Sequence, residues 1–111
     1  MIGIDILEVK RVEEKLEKKP NFVDSFLLES EKEYVNLFKN KSERICGFFC
    51  LKEAVKKAVS TDLTFKDIEI LHDENGKPFV KILNKDFEKT KVEVSISHST
   101  TVAVAVCVVL K

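Results

Sequence analysis

Glu43-Arg44-Ile45-Cys46-Gly47-Phe48-Phe49-Cys50-Leu51-Lys52-Glu53-Ala54-Val55-Lys56-Lys57-Ala58-Val59 is the stretch that decides the fold. Ile45, Phe48, Phe49, Cys50, Val55, Ala58 and Val59 cover much of the girth of a helix. A helix that is apolar on most sides has to be buried, so this segment predicts a central one. Asn40-Lys41-Ser42 marks the turn before it, and Ser60-Thr61-Asp62 ends it. Working outward, Met1 to Ile6 reads as a short strand. Glu8 to Lys19 reads as a helix, because Val9, Val12 and Leu16 recur at helical spacing and the rest is charged. Pro20 breaks that helix. Phe22, Val23, Phe26 and Leu27 predict a second short helix. Ser30-Glu31-Lys32-Glu33 reads as a capping box, with Ser30 as N-cap, opening a third helix through Leu37 or Phe38.

Downstream the pattern changes to strands. Ile68, Ile70 and Leu71 predict one strand, and Phe79 to Leu83 its return across an Asp73-to-Pro78 turn that contains Asn75-Gly76. Phe87 anchors a connecting loop. Val92, Val94 and Ile96 alternate with Glu93, Ser95 and Ser97. His98 to Thr101 turns the chain into Val102–Leu110, which is apolar on both faces. One face can meet the helices. The other needs a cover that the chain cannot supply, so a subunit interface is expected there. The fold class is α+β, with helices packed on a mainly antiparallel sheet.

The chain has 111 residues, which fits one domain over 1–111. With 44% hydrophobic and 34% charged residues it has a core and no membrane-embedded body. Nineteen basic and 19 acidic residues cancel, so no overall basic field favours nucleic acid. Three cysteines, Cys46, Cys50 and Cys107, fit no disulfide framework and read as reduced thiols in the cytoplasm. No basic segment followed by an apolar one is seen at the N-terminus, so no secretion signal is expected.

Two carboxylates stand in apolar surroundings. Asp5 interrupts Met1-Ile2-Gly3-Ile4-Asp5-Ile6-Leu7, and Glu53 lies in the central helix. Each has an ordinary reading: Asp5 as a turn or N-cap residue, Glu53 as a helix-edge residue paired with Lys57 at i,i+4. Together, with the late Ser95-Ile96-Ser97-His98, they point to a magnesium-assisted phosphate site, since two oxygen ligands plus phosphates and waters usually hold Mg²⁺. Ser95, Ser97 and His98 can all donate to phosphate oxygens. His72 reads as a strand-end surface residue. Cys46 and Cys50 share a helix face and read as core. Arg11 and Lys15, i,i+4 neighbours, could dock an acidic protein partner.

In combination these segments resemble the holo-acyl-carrier-protein synthase family, the small members of the 4′-phosphopantetheinyl transferase superfamily. The resemblance rests on Gly3-Ile4-Asp5-Ile6 with Arg11, Phe49 to Ala58, Asn75-Gly76-Lys77-Pro78 and Ser95-Ile96-Ser97-His98. It implies transfer of 4′-phosphopantetheine from coenzyme A to a serine of apo acyl carrier protein, with release of adenosine 3′,5′-bisphosphate. It implies Mg²⁺ on Asp5 and Glu53, Lys57 on a phosphate, and Ser97 and His98 at the pyrophosphate. Lys77 and Pro78 would lie near the nucleotide, and Arg11 would meet an acidic helix of the carrier protein. Glu53 is the first choice for general base and His98 the second. The family is typically trimeric, so a homotrimer is expected, with Asp5 and Glu53 from one chain and Ser97 and His98 from the next. The chain departs from the family pattern at Ser60-Thr61-Asp62, where relatives carry a glycine-rich turn. The competing reading is a non-catalytic coenzyme A or nucleotide-binding module.

Overall fold

Along Val102–Val109, small residues alternate with valines, and that alternation gives the sheet two unlike faces. The computed structural model describes residues 1–110. In chain order it runs β1 (Ile2–Glu8), α1 (Val9–Lys18), α2 (Glu29–Val35), α3 (Lys41–Ala58), β2 (Ile68–His72), β3 (Pro78–Ile82), β4 (Val92–His98) and β5 (Val102–Val109). Short 3₁₀ turns occupy Phe22–Ser25 and Phe65–Asp67. β5 is the middle strand of an antiparallel sheet ordered β1-β5-β4, and β2 and β3 form a separate antiparallel hairpin. Ala103, Ala105 and Cys107 are buried beneath α3. Their small side chains let the helix settle on the strand. The valines between them point to the other face, where Ile2, Ile4 and Ile6 of β1 are 68%, 61% and 65% exposed. No element of the described chain covers that face, as the doubly apolar last strand led us to expect.

The register decides which residues share the helix side. Asp5 pairs with Ala105, which pairs with Ile96; Leu7 pairs with Ala103, which pairs with His98. Gly3 sits one row further, opposite Cys107. A Cβ at Gly3 would collide with the Ala54 carbonyl oxygen and stand 2.8 Å from the Ala58 nitrogen. Glycine there lets β1 lie directly on the last turns of α3.

The most buried charges are not those the sequence singled out. Lys52 and Glu31 are both 0% exposed. Lys52 Nζ donates to Glu31 Oε1 at 2.6 Å and to the carbonyls of Phe26 and Phe65 at 2.7 and 3.1 Å. Glu31 in turn accepts from the Leu28 and Ile70 backbone N–H groups at 2.8 and 2.7 Å. Burial lowers the Lys52 pKa, and the Glu31 partner opposes that shift. Glu53, expected inside, lies one residue round the helix and is half-buried.

The same contacts explain two corrections. Leu28, not Ser30, is the residue preceding α2, and Glu31 rather than Glu33 reaches back to its N–H. A glutamate drawn into the core to meet Lys52 fixes where the helix begins. α2 also ends at Val35, because Leu37 and Phe38 continue in tight turns bonded to Tyr34 and Val35. The expected second helix is only the 3₁₀ turn Phe22–Ser25. Asn75-Gly76 turns the hairpin with only Gly76 in the left-handed region, at φ 82°, while Asp73 Oδ1 accepts from the Asn75 and Lys77 N–H groups.

Gly3→Ala should cost about 1–3 kcal/mol, the usual penalty of overpacking, in a urea unfolding experiment. Lys52→Met, which leaves Glu31 buried and unpaired, should cost about 3–5 kcal/mol, and adding Glu31→Leu should restore part of it.

Candidate active site

β1 and the last turns of α3 bring the first group of polar side chains together. Asp5 points toward α3, and its side chain is 19% exposed. Lys57 Nζ lies 3.2 Å from Asp5 Oδ1 and donates to the Ile4 carbonyl at 3.0 Å. Lys57 therefore pairs with the strand, not with Glu53 as i,i+4 spacing alone would have it. Glu53 sits one turn earlier on the same side of α3 and has no ion-pair partner among the described residues. Asp5 and Lys57 thus form one ion pair, and helical spacing puts Glu53 on the same side of α3 as Lys57. Both carboxylates are hard oxygen donors able to hold a divalent cation. Among the described residues no group of three or more His, Cys, Asp or Glu side chains could hold a metal. The remaining coordination positions would fall to phosphate and water.

Behind this patch lie the thiols. Cys46 Sγ is 3.4 Å from the Leu7 carbonyl and Cys50 Sγ 3.6 Å from that of Ala103. The neighbouring Cys46, burial and the Asp5 charge push the Cys50 pKa far above the usual thiol range. Burial pushes Cys107 up to about 11. These are core thiols, as their helical spacing suggested.

A second group gathers at the opposite end of α3. His98, the last residue of β4, faces the helix, and its Nδ1 lies 2.7 Å from Glu43 Oε1. Ser95 and Ser97 are exposed on the other face of the strand, because successive strand residues alternate. Ser97 and His98 therefore do not converge within one chain. Pro78 lines the cavity of about 140 Å³ that His98 borders, together with Tyr34, Arg44, Phe48 and His72. Lys77 lies outside it, 3.9 Å from Glu93. Glu43 and Glu53 are ten positions apart on one helix, so the two groups stand about 15 Å apart.

A third surface flanks the Asp5 patch. Arg11 and Lys15 line both a wide groove of about 900 Å³ and a more apolar one of about 410 Å³. Leu7, Phe26, Phe49 and Phe65 supply the floor of the latter. Arg11 is otherwise only loosely paired, 3.9 Å from Glu8, with both side chains open to solvent.

Residues 1–107 match the 4′-phosphopantetheinyl transferase superfamily. A holo-[acyl-carrier-protein] synthase of Clostridium botulinum is 39% identical, over 97% of this chain and 94% of the relative. One from a Geobacillus species is 43% identical, over 94% and 90%. This chain belongs to the holo-acyl-carrier-protein synthase family. The fold agrees. The Helicobacter pylori synthase crystallised with coenzyme A superposes with a TM-score of 0.85 at 37% identity, covering 99% of this chain and 100% of that one. The Neisseria meningitidis synthase gives 0.89 at 29% identity, covering 99% and 97%.

At Ser60-Thr61-Asp62, where the family resemblance led us to expect glycines, the chain turns without a left-handed residue. Ser60 Oγ accepts from the Asp62 N–H at 3.0 Å and supplies the closure locally. Glu43, Arg44 and His72 were not singled out from the sequence as site residues. Helical periodicity places Glu43 and Arg44 at the start of α3, but only the β4–β5 register brings His98 to them. His72 was read as a surface residue. Instead it is half-buried and stacks on Tyr34, with ring centroids 4.1 Å apart and planes 8° apart. Arg44 stands over the Phe38 ring at 3.9 Å.

Burial first, and then the Arg44 charge, lower the His72 pKa below 6.5. On acidification the unfolded chain therefore takes up this proton before the folded one does. Stability from this group is complete above the unfolded pKa and falls as the pH drops below it. Thermal unfolding between pH 7.5 and 5.5 should show that loss, and His72→Phe should reduce its pH dependence.

Proposed function

We propose that the chain transfers the 4′-phosphopantetheine group of coenzyme A to a serine of an apo acyl carrier protein in fatty acid biosynthesis, releasing adenosine 3′,5′-bisphosphate. The observation that supports this reading is the ion pair of Asp5 with Lys57 across β1 and α3, with Glu53 one helical turn before Lys57, in a chain of this family. The serine Oγ attacks the β-phosphorus, the bond from that phosphorus to the bridging oxygen breaks, and the oxygen leaves on the adenosine bisphosphate. Glu53, unpaired and half-exposed, accepts the serine proton. Lys57 places a compact positive charge on a phosphate oxygen and offsets charge that builds on the leaving group. Asp5 holds Lys57 in place until substrate arrives. Asp5 and Glu53 fit Mg²⁺, which when bound would act as Lewis acid and template for the pyrophosphate. Arg11 and Lys15 offer the acidic carrier protein its docking surface, beside the apolar groove.

His98, with Pro78 and without Ser97, serves the coenzyme A bound by a neighbouring chain. The separation of about 15 Å between Glu43 and Glu53 along α3 and the bare Ile2-Ile4-Ile6 face support a homotrimer with sites between subunits. We take residues 1–111 as one transferase domain working in the cytoplasm. Three unpaired thiols fit a reducing compartment, and no described helix is long and apolar enough to cross a membrane.

Mass spectrometry of an apo carrier protein incubated with coenzyme A, Mg²⁺ and the enzyme should show the added phosphopantetheine. Asp5→Ala and Glu53→Ala should each reduce transfer by about 10³-fold or more while the oligomer stays intact, and EDTA should stop the reaction. No mass gain with several carrier proteins would reject the proposal. Mixing an Asp5→Ala chain with a His98→Ala chain should regain activity that neither homo-oligomer has, if the site is shared.

A further inference from the structure

Glu43 has no part in the reading above, yet it makes a short contact with a residue that does. It lies in the first turn of α3, with its side chain 14% exposed, and its Oε1 stands 2.7 Å from His98 Nδ1. A carboxylate on Nδ1 keeps a proton on that nitrogen in both charge states of the ring. The neutral ring then has a bare Nε2. The charged ring has an Nε2–H donor and a counter-ion behind it. The neighbours say which of these the site uses. From α3, Arg44 borders the same cavity, with its Nε 3.4 Å from Asn40 Oδ1 and no carboxylate within ion-pair distance among the described residues. From β2 comes His72, and from α2 the Tyr34 hydroxyl. Among the described residues Glu43 is the one carboxylate that touches His98, and it does so through Nδ1, leaving Nε2 free of it. The cavity therefore presents three nitrogen-bearing groups, Arg44, His72 and His98, beside the flat ring of Phe48. That is donor chemistry for a phosphate attached to an aromatic base, not an acceptor set for removing a proton.

We infer that Glu43 is a positioning residue that fixes a proton on His98 Nδ1 and gives the protonated ring its counter-ion, so that Nε2–H donates to a phosphate oxygen of coenzyme A. The inference rests on the coenzyme A reading proposed above. It also assigns His98 to binding and leaves the base to Glu53. Glu43 and Glu53 are about 15 Å apart along α3 in one chain, so this clamp serves a phosphate and not the serine of the same chain's Asp5 patch.

The test uses Glu43→Gln and Glu43→Asp in the intact oligomer, with coenzyme A titrated at several pH values in the transfer assay. Charge-assisted hydrogen bonds are about twice as strong as neutral ones, and Glu43→Gln should raise the KM for coenzyme A about tenfold near pH 7.5. The defect should fall on KM, and kcat should change little. Glu43→Asp should recover part of the loss. An unchanged KM, or a fall in kcat alone, would overturn the inference. A second measurement needs no variant. Long-range ¹H–¹⁵N spectra of the wild-type protein should show the neutral His98 ring protonated on Nδ1, and an Nε2–H tautomer would overturn it. If the wild-type enzyme transfers phosphopantetheine and these results fail, only the role of Glu43 falls. If wild type transfers nothing, the transferase reading falls with it.

Discussion

Lys52 and Glu31 form the one contact on which the arrangement of the other elements depends. Two full charges without solvent would be costly if either lacked partners. Here each oxygen of Glu31 is engaged, and the ammonium has three acceptors. Those partners come from the 3₁₀ turn after α1, from the start of α2, from the Phe65 turn and from β2. The pair thus ties four otherwise separate segments to the middle of α3. Its geometry leaves few alternatives, because any segment that drifted would leave a buried charge short of a hydrogen bond. The apolar core around it, with Phe26, Leu27, Leu51, Leu63 and Ile68, supplies the driving force. The ion pair selects which packing that force produces.

With its middle fixed, α3 acts as a spacer between two chemical ends. Its last turns lie on β1 through Gly3, and that approach sets Asp5 against Lys57. Its first turn meets the end of β4 and sets Glu43 against His98. Because a helix is stiff along its axis, these ends cannot close on one small substrate within a chain. Coenzyme A is long and carries phosphates at both its pyrophosphate and its ribose, so a pair of separated half-sites suits it better than a single deep cleft. The bare β1–β5 face, a row of valines and isoleucines, is where a neighbouring chain could bring the complementary half.

Periodicity made much of this legible. α3 was visible because its apolar positions exceed one face, and β5 because Val102–Val109 has no polar residue at all. Asp5 was visible because a charge inside an apolar strand is out of place. Glu53 was legible for a less secure reason. The stretch around it is apolar, but rotation by one residue puts Lys52 inside and Glu53 at the edge, and a helix apolar all round gives no phase by which to tell them apart. Glu31 was hidden among Glu29, Ser30, Lys32 and Glu33, where four polar neighbours make any one of them look solvated. Its burial depends on a lysine 21 positions later. Ser97 and His98, adjacent in sequence, looked like one site, yet strand alternation sends them to opposite faces.

The sequence by itself determined every element but the helix expected at Phe22 to Leu27, their order, the family and the residue types that phosphate chemistry requires, because these follow from local periodicity and from short motifs read along the chain. Tertiary structure alone decided the pairings: Lys57 with Asp5, His98 with Glu43, Lys52 with Glu31. Each joins residues at least 21 positions apart. The partner of a charge is set by which backbones pack together and in what register, and register is a property of the assembled sheet and helix, not of either segment alone.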